Sequence, residues 1–224
     1  MKRSEWLPAT IVFLVISQLT GCAGPEDVEQ TLKPGIPGSD WSLVAKSRPA
    51  TKWYWLFDGK TLNSWANHTG DAQWLVKDGA ITATAATRPS FLATTAEYED
   101  FAVTVDVFAE PGHSAGMVVR GTRTSKSDAV PGAISGYEIH MGSDDEGTNG
   151  PGSIEGLASS TPGASVAGGW HTYEIEAAGS HIIVRMDQKI TADIQDSIHT
   201  KGMIALRSAG TGSVQYRNIK FRDK

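Results

Sequence analysis

The stretch Gly136 to Met141, GYEIHM, interleaves two kinds of residue: Tyr137, Ile139 and Met141 are apolar, while Glu138 and His140 can each exchange a proton. On a β-strand successive side chains leave opposite faces. Glu138 and His140 then share one face, their Cα atoms roughly 6.5–7 Å apart, and the apolar three take the other. A carboxylate and an imidazole at that spacing can act as general acid and base on neighbouring atoms of one substrate. Arg120 ends the run AGMVVR and Arg207 ends GMIALR. If Val119 and Leu206 are core residues, both guanidiniums point to the polar face, where they could hold an anionic oxygen. The same alternation is what any half-exposed sheet shows, so an ordinary solvated face is the competing reading of all four residues.

Other motifs narrow the chemistry. The loop GSDDEG, Gly142 to Gly147, offers Asp144 and Asp145 as weak oxygen ligands for a hard divalent cation, with a solvated loop as the plainer reading; no cofactor is assigned. Beyond the N-terminal leader there is no H-E-x-x-H pair, P-loop or G-x-G-x-x-G, which weighs against a zincin, a nucleotide enzyme and a dehydrogenase. The net charge of -5 and the lack of any Lys/Arg-rich run give no field that would gather phosphates, so nucleic acid is not an expected partner.

These residues must be positioned by strands. From Trp53 onward short runs such as KWYWLF, QWLV, AITATA, FAVTVDVFA, AGMVVR, HTYEIEA, HIIVRM, KGMIALR and SVQYRNIKF alternate with turn signals, among them Asp58-Gly59 and Asp78-Gly79. No segment sustains a helical period and none repeats at a fixed interval. About a dozen strands without intervening helices predict an all-β sandwich of two antiparallel sheets. Tyr137, Ile139, Met141, Val118, Ile204, Leu206, Tyr173 and Ile175 are expected to face its core. Trp65, Trp74 and Trp170 are expected to pack in the core or at sheet edges.

The N-terminus reads differently. Lys2 and Arg3 precede the apolar run Leu7 to Leu19, too short to span a membrane and suited to a signal sequence. The following LTGC, Leu19 to Cys22, resembles a bacterial lipobox. The expected organisation is a lipoprotein signal peptide at 1–21, a lipidated Cys22 with a Pro/Gly-rich tether at 22–50, and one domain at 51–224. The expected location is the bacterial membrane, with the body in the periplasm or on the cell surface.

In their order, WLFDGKTLNSW, WLVKDGAI, EYEDFAVTVDVF, SAGMVVRG, GYEIHM, GSIEG, GGWHTYEIEAAGSHIIVRMDQ, KGMIALRS and VQYRNIKF resemble the 3-keto-disaccharide hydrolase family, whose members are also described as 3-keto-glucoside lyases and hydratases. The resemblance runs from about Trp53 to Phe221. It implies a concanavalin A-like jelly roll and cleavage of 3-keto-glycosides, by elimination and hydration beside the C3 ketone. A separate sugar 3-oxidase would then have to supply the ketone. The chain departs from the family pattern at polar positions: His140 and Arg207 stand where Gln is usual, the Asp that tends to follow is displaced to Asp144 or Asp145, Glu155 stands where an aromatic often follows GSI, and His171 where Asn follows the Trp of GGW. Glu138 and His140 are thus the catalytic candidates, and Arg120, Arg207, Glu155 and His171 the substrate-binding ones. The alternative is a non-catalytic, lipid-tethered carbohydrate-binding module of the same fold. An enzyme should bring Glu138, His140 and Arg207 together, whereas a binding module should expose aromatic rings on a flat platform.

Overall fold

The run FAVTVDVFA shows why the chain forms sheet. Val103, Val105 and Val107 are buried, while Thr104 and Asp106 between them are less so, the period-2 pattern of a strand with one face on a core. The computed structural model describes residues 52–124, 133–142, 150–161, 164–166 and 169–224, without the side chains at 67 and 68. The leader, Cys22, the tether, Asp144 and Asp145 lie outside the described residues.

Thirteen strands are described: β1 (Tyr54–Trp55), β2 (Trp65–Thr69), β3 (Trp74–Lys77), β4 (Ala80–Ala83), β5 (Ala86–Thr94), β6 (Phe101–Ala109), β7 (His113–Arg123), β8 (Ile134–His140), β9 (His171–Ala178), β10 (His181–Met186), β11 (Lys189–Gln195), β12 (Met203–Gly210) and β13 (Val214–Asp223). One sheet runs β11-β10-β9-β6-β13-β4-β3 with β1 also on β13; the other runs β2-β5-β12-β7-β8. The pairings are antiparallel, and the two sheets make the expected jelly-roll sandwich. Tight turns follow the chemistry of their residues: Asp78 and Gly79, linking β3 to β4, both take positive φ, 50° and 76°, as a two-residue hairpin loop requires.

Tyr137, Ile139, Met141, Ile204, Leu206, Tyr173 and Ile175 all join the inter-sheet core. Val118 does not. It is buried, but with Phe91, Ala93, Ile134 and Ala205 in a small separate cluster, because its neighbours Met117 and Val119 already face the core and adjacent strand residues cannot share a face.

Arg120 is the larger correction. The β7–β8 register shifts between Val119 and Thr122, and Arg120 within that irregularity has φ 51°. The irregular backbone turns the guanidinium away from the polar face. Fully buried, it donates to the carbonyls of Glu99 (2.8 Å), Gly179 (2.7 Å) and His199 (3.1 Å) and to Asp100 Oδ1 (3.0 Å). It ties together chain segments that lead into β6, β10 and β12, and it does not join Glu138.

Candidate active site

Cross-strand partners on one face of a sheet point the same way. Across the five-stranded sheet the register places Thr69, Phe91, Arg207, Gly116 and His140 in one row, and Ala66, Ala93, Ala205, Val118 and Glu138 in the next. Gly116 stands between Arg207 and His140. A β-carbon there would meet the Ile139 carbonyl at 2.9 Å and the Arg207 Cδ at 3.7 Å. The missing side chain leaves Arg207 free to lie across β7, where its Nε reaches Glu138 Oε1 at 2.9 Å. Arg207 Nη1 donates to Ser114 Oγ at 2.8 Å and approaches the Ser114 carbonyl at 3.3 Å.

The GSIEG segment completes the group. Ile154 bridges Ile139 and is buried in the core, so the neighbouring Ser153 and Glu155 turn toward the face of Glu138 and His140. The backbone pairs accordingly: Glu155 N–H donates to the Glu138 carbonyl (2.9 Å), and His140 N–H to that of Ser153 (3.1 Å). Gly152, at φ 79°, lets this segment close against β11, since a β-carbon there would lie 2.2 Å from Thr191 Oγ1. His140 Nε2 is hydrogen-bonded to Glu155 Oε2. His140 is nearly buried, whereas the Glu155 side chain is 56% exposed, so the pair runs from the protein toward solvent. Ser153 is buried and its hydroxyl has no hydrogen-bond partner among the described residues.

Glu138, His140, Glu155 and Arg207 therefore come together, with the guanidinium on one carboxylate and the imidazole on another. Three of the departures from the family pattern, at 140, 155 and 207, meet here and answer one another. The one at 171 does not. His171 lies on β9 in the other sheet, where its Nδ1 bonds Asp187 Oδ2 at 2.8 Å. Burial by itself would raise the Asp187 pKa, but the hydrogen bonds from His171 and the Thr172 amide outweigh it and hold the carboxyl below its ordinary value.

Sequence reasoning passed over Ser114, Ser153 and Tyr216. Ser114 had a legible signal, since it alternates with Gly116 and Val118 on the face shared with Glu138. Ser153 and Tyr216 had none, because their places depend on pairings far along the chain. His113 is a satisfied core histidine. A carbonyl can only accept, so Nδ1 donates to Thr211 (3.1 Å) and Nε2 takes the Ser208 hydroxyl (3.0 Å). Burial lowers its pKa against the opposing pull of the Thr211 carbonyl.

The tryptophans pack as expected. Trp65 is buried and donates to the Leu56 carbonyl; Trp74 stacks on Tyr216; Trp170 lies against Phe108 and under the Arg217 guanidinium. None supplies a flat platform on the face of Glu138. An open hollow lined by Trp55, Phe57, Asp58, Gly59, Gly79 and Asn218 contains none of the clustered residues. Asp58 there is occupied by its own turn, through the Lys60 and Thr61 amides and the Thr61 hydroxyl. Among the described residues no three His, Cys, Asp or Glu side chains are arranged as a metal site.

Fold and cluster together are those of a jelly-roll protein, and solved structures share the architecture. A Parabacteroides distasonis protein provisionally described as a glycosyl hydrolase superposes with a TM-score of 0.67 at 18% identity, over 77% of this chain and 94% of the other. A second from the same organism, described in the same way, gives 0.62 at 25% identity, over 78% and 100%. A Bacillus subtilis protein of unknown function with a galectin-like fold gives 0.52 at 12%, over 72% and 90%. Among curated proteins none matches this chain. Residues 52–222 match the family described as the 3-keto-alpha-glucoside-1,2-lyase-like domain. The chain belongs to that family, and its function is carbohydrate-related.

Proposed function

We propose that the domain cleaves glycosides whose C3 hydroxyl has been oxidised to a ketone. The ketone acidifies the C2 hydrogen. A base removes that proton, the electron pair passes into an enolate, and collapse of the enolate expels the C1 oxygen, which leaves protonated. Water then adds to the enone, so that the net result is hydrolysis. This path asks for a base, an acid and a cation to hold the enolate oxygen. Glu138 and His140 form the acid/base pair, Glu155 orients the imidazole, and Arg207 supplies the positive charge. The observation that carries the reading is the convergence of these four side chains, from β8, β12 and the GSIEG segment, in a chain of this family.

The test is to incubate the protein with a 3-keto-disaccharide and with its unoxidised parent. Monosaccharide should appear only from the first, since the parent's C2 hydrogen is too weakly acidic for a carboxylate or imidazole. Saturable binding of both sugars without cleavage would instead make the domain a carbohydrate-binding module. The ketone itself must come from a separate sugar 3-oxidase.

We also propose that Cys22 carries the lipid of a membrane-anchored protein, on the strength of the LTGC motif. Cys22→Ser should move the protein from the membrane to the soluble fraction with its melting temperature unchanged. Retention in the membrane pellet after a salt wash would refute the anchor.

A further inference from the structure

Tyr216 belongs to β13, in the sheet that lacks the cluster, yet its hydroxyl ends beneath it. The phenol is fully buried and stacked on Trp74. Its oxygen meets the rung on which β7 and β12 pair Gly116 with Arg207. There it donates to the Arg207 carbonyl at 2.5 Å and accepts the Gly116 N–H at 3.2 Å, with the Gly116 carbonyl 3.1 Å away. A hydroxyl in a core costs stability unless it is hydrogen-bonded, and a phenylalanine would fill nearly the same volume. This one is satisfied entirely by the two residues that shape the polar face: Arg207, which bears the cation, and Gly116, whose bare Cα lets that cation lie across β7. The other end of Arg207 is fastened by Ser114 and Glu138.

We propose that Tyr216 is a positioning residue for the cluster, holding the Gly116–Arg207 rung from the opposite sheet so that the guanidinium meets Glu138. Its kinetic consequence rests on the cleavage reading above; its structural consequence does not. Burial pushes the phenol pKa up, against the pull of the Gly116 backbone and the Arg207 charge, so the hydroxyl keeps its proton and remains a donor at working pH.

The experiment compares the full chain with Tyr216→Phe by the hydrogen-exchange rate of the Arg207 Nε–H, followed by NMR. Exchange should quicken roughly fivefold, as the loss of one ordinary hydrogen bond allows. Trp74→Phe, which trims the same packing but keeps the hydroxyl, should leave that rate as it is. In turnover of a 3-keto-disaccharide, Tyr216→Phe should lower kcat with KM little changed, and should have no further effect when added to Arg207→Gln. Unchanged Arg207 exchange in Tyr216→Phe overturns the proposal. So does equal quickening in Trp74→Phe, or the same loss of kcat with and without Arg207. Faster exchange in a protein that cleaves no 3-keto sugar would uphold the positioning role and remove the proposed reaction instead.

Discussion

Glu138→Gln should lower turnover of a 3-keto-disaccharide by about 10²- to 10⁴-fold, the usual contribution of a placed general acid or base. The substitution keeps the shape of the side chain and an oxygen that can still accept from Arg207 Nε, now 2.9 Å away. It removes the group that can carry a proton. Glu138 lies on β8 with Val118 as its cross-strand partner, so the fold should tolerate the amide. Steady-state kinetics beside a thermal melt decide the matter. A variant that melts like the parent and keeps its rate would show that Glu138 only pairs with Arg207, and the proton transfer would have to be sought at His140 and Glu155.

The largest stability effect is expected at Arg120. Arg120→Ala should cost about 3–5 kcal/mol, the range for removing one member of a buried charged network. Little of this comes from attraction to Asp100, whose side chain is 44% exposed and therefore screened. It comes from the carbonyls of Glu99, Gly179 and His199, which lose their donor in part-buried hydrogen bonds, a fully buried acceptor costing on the order of 1–3 kcal/mol when left unpaired and a partly exposed one less. Urea unfolding gives the measurement. A loss below about 1 kcal/mol would mean that water replaces the guanidinium at those carbonyls. Because Arg120 lies apart from Glu138, the folded fraction of the variant should turn over substrate at the parent rate.

Much of this protein is decided by neighbours in the chain. The alternation of GYEIHM puts Glu138 and His140 on one face and Tyr137 and Ile139 in the core because a strand repeats every two residues whatever it packs against. The Asp78-Gly79 hairpin follows equally from the positive φ those residues accept. Arg207 was legible for the same reason, since Leu206 beside it had to be core. That reasoning failed where the backbone leaves regular strand. Arg120 follows Val119 just as Arg207 follows Leu206, but it sits in a register shift that turns its side chain toward three distant carbonyls. Val118 shows the complementary limit, because composition alone does not say which of two adjacent valines meets the other sheet.

Only the tertiary structure decided the partners. Glu155 reaches His140 because the segment around Ile154 pairs with β8, and His171 stays apart because β9 was built into the other sheet. Tyr216 touches the Gly116–Arg207 rung from a strand whose own sequence carries no sign of it. Strand pairing joins residues far apart in the chain, and its register depends on bulges and on how two sheets stack. Those are properties of the packed whole, which no local pattern of side chains encodes.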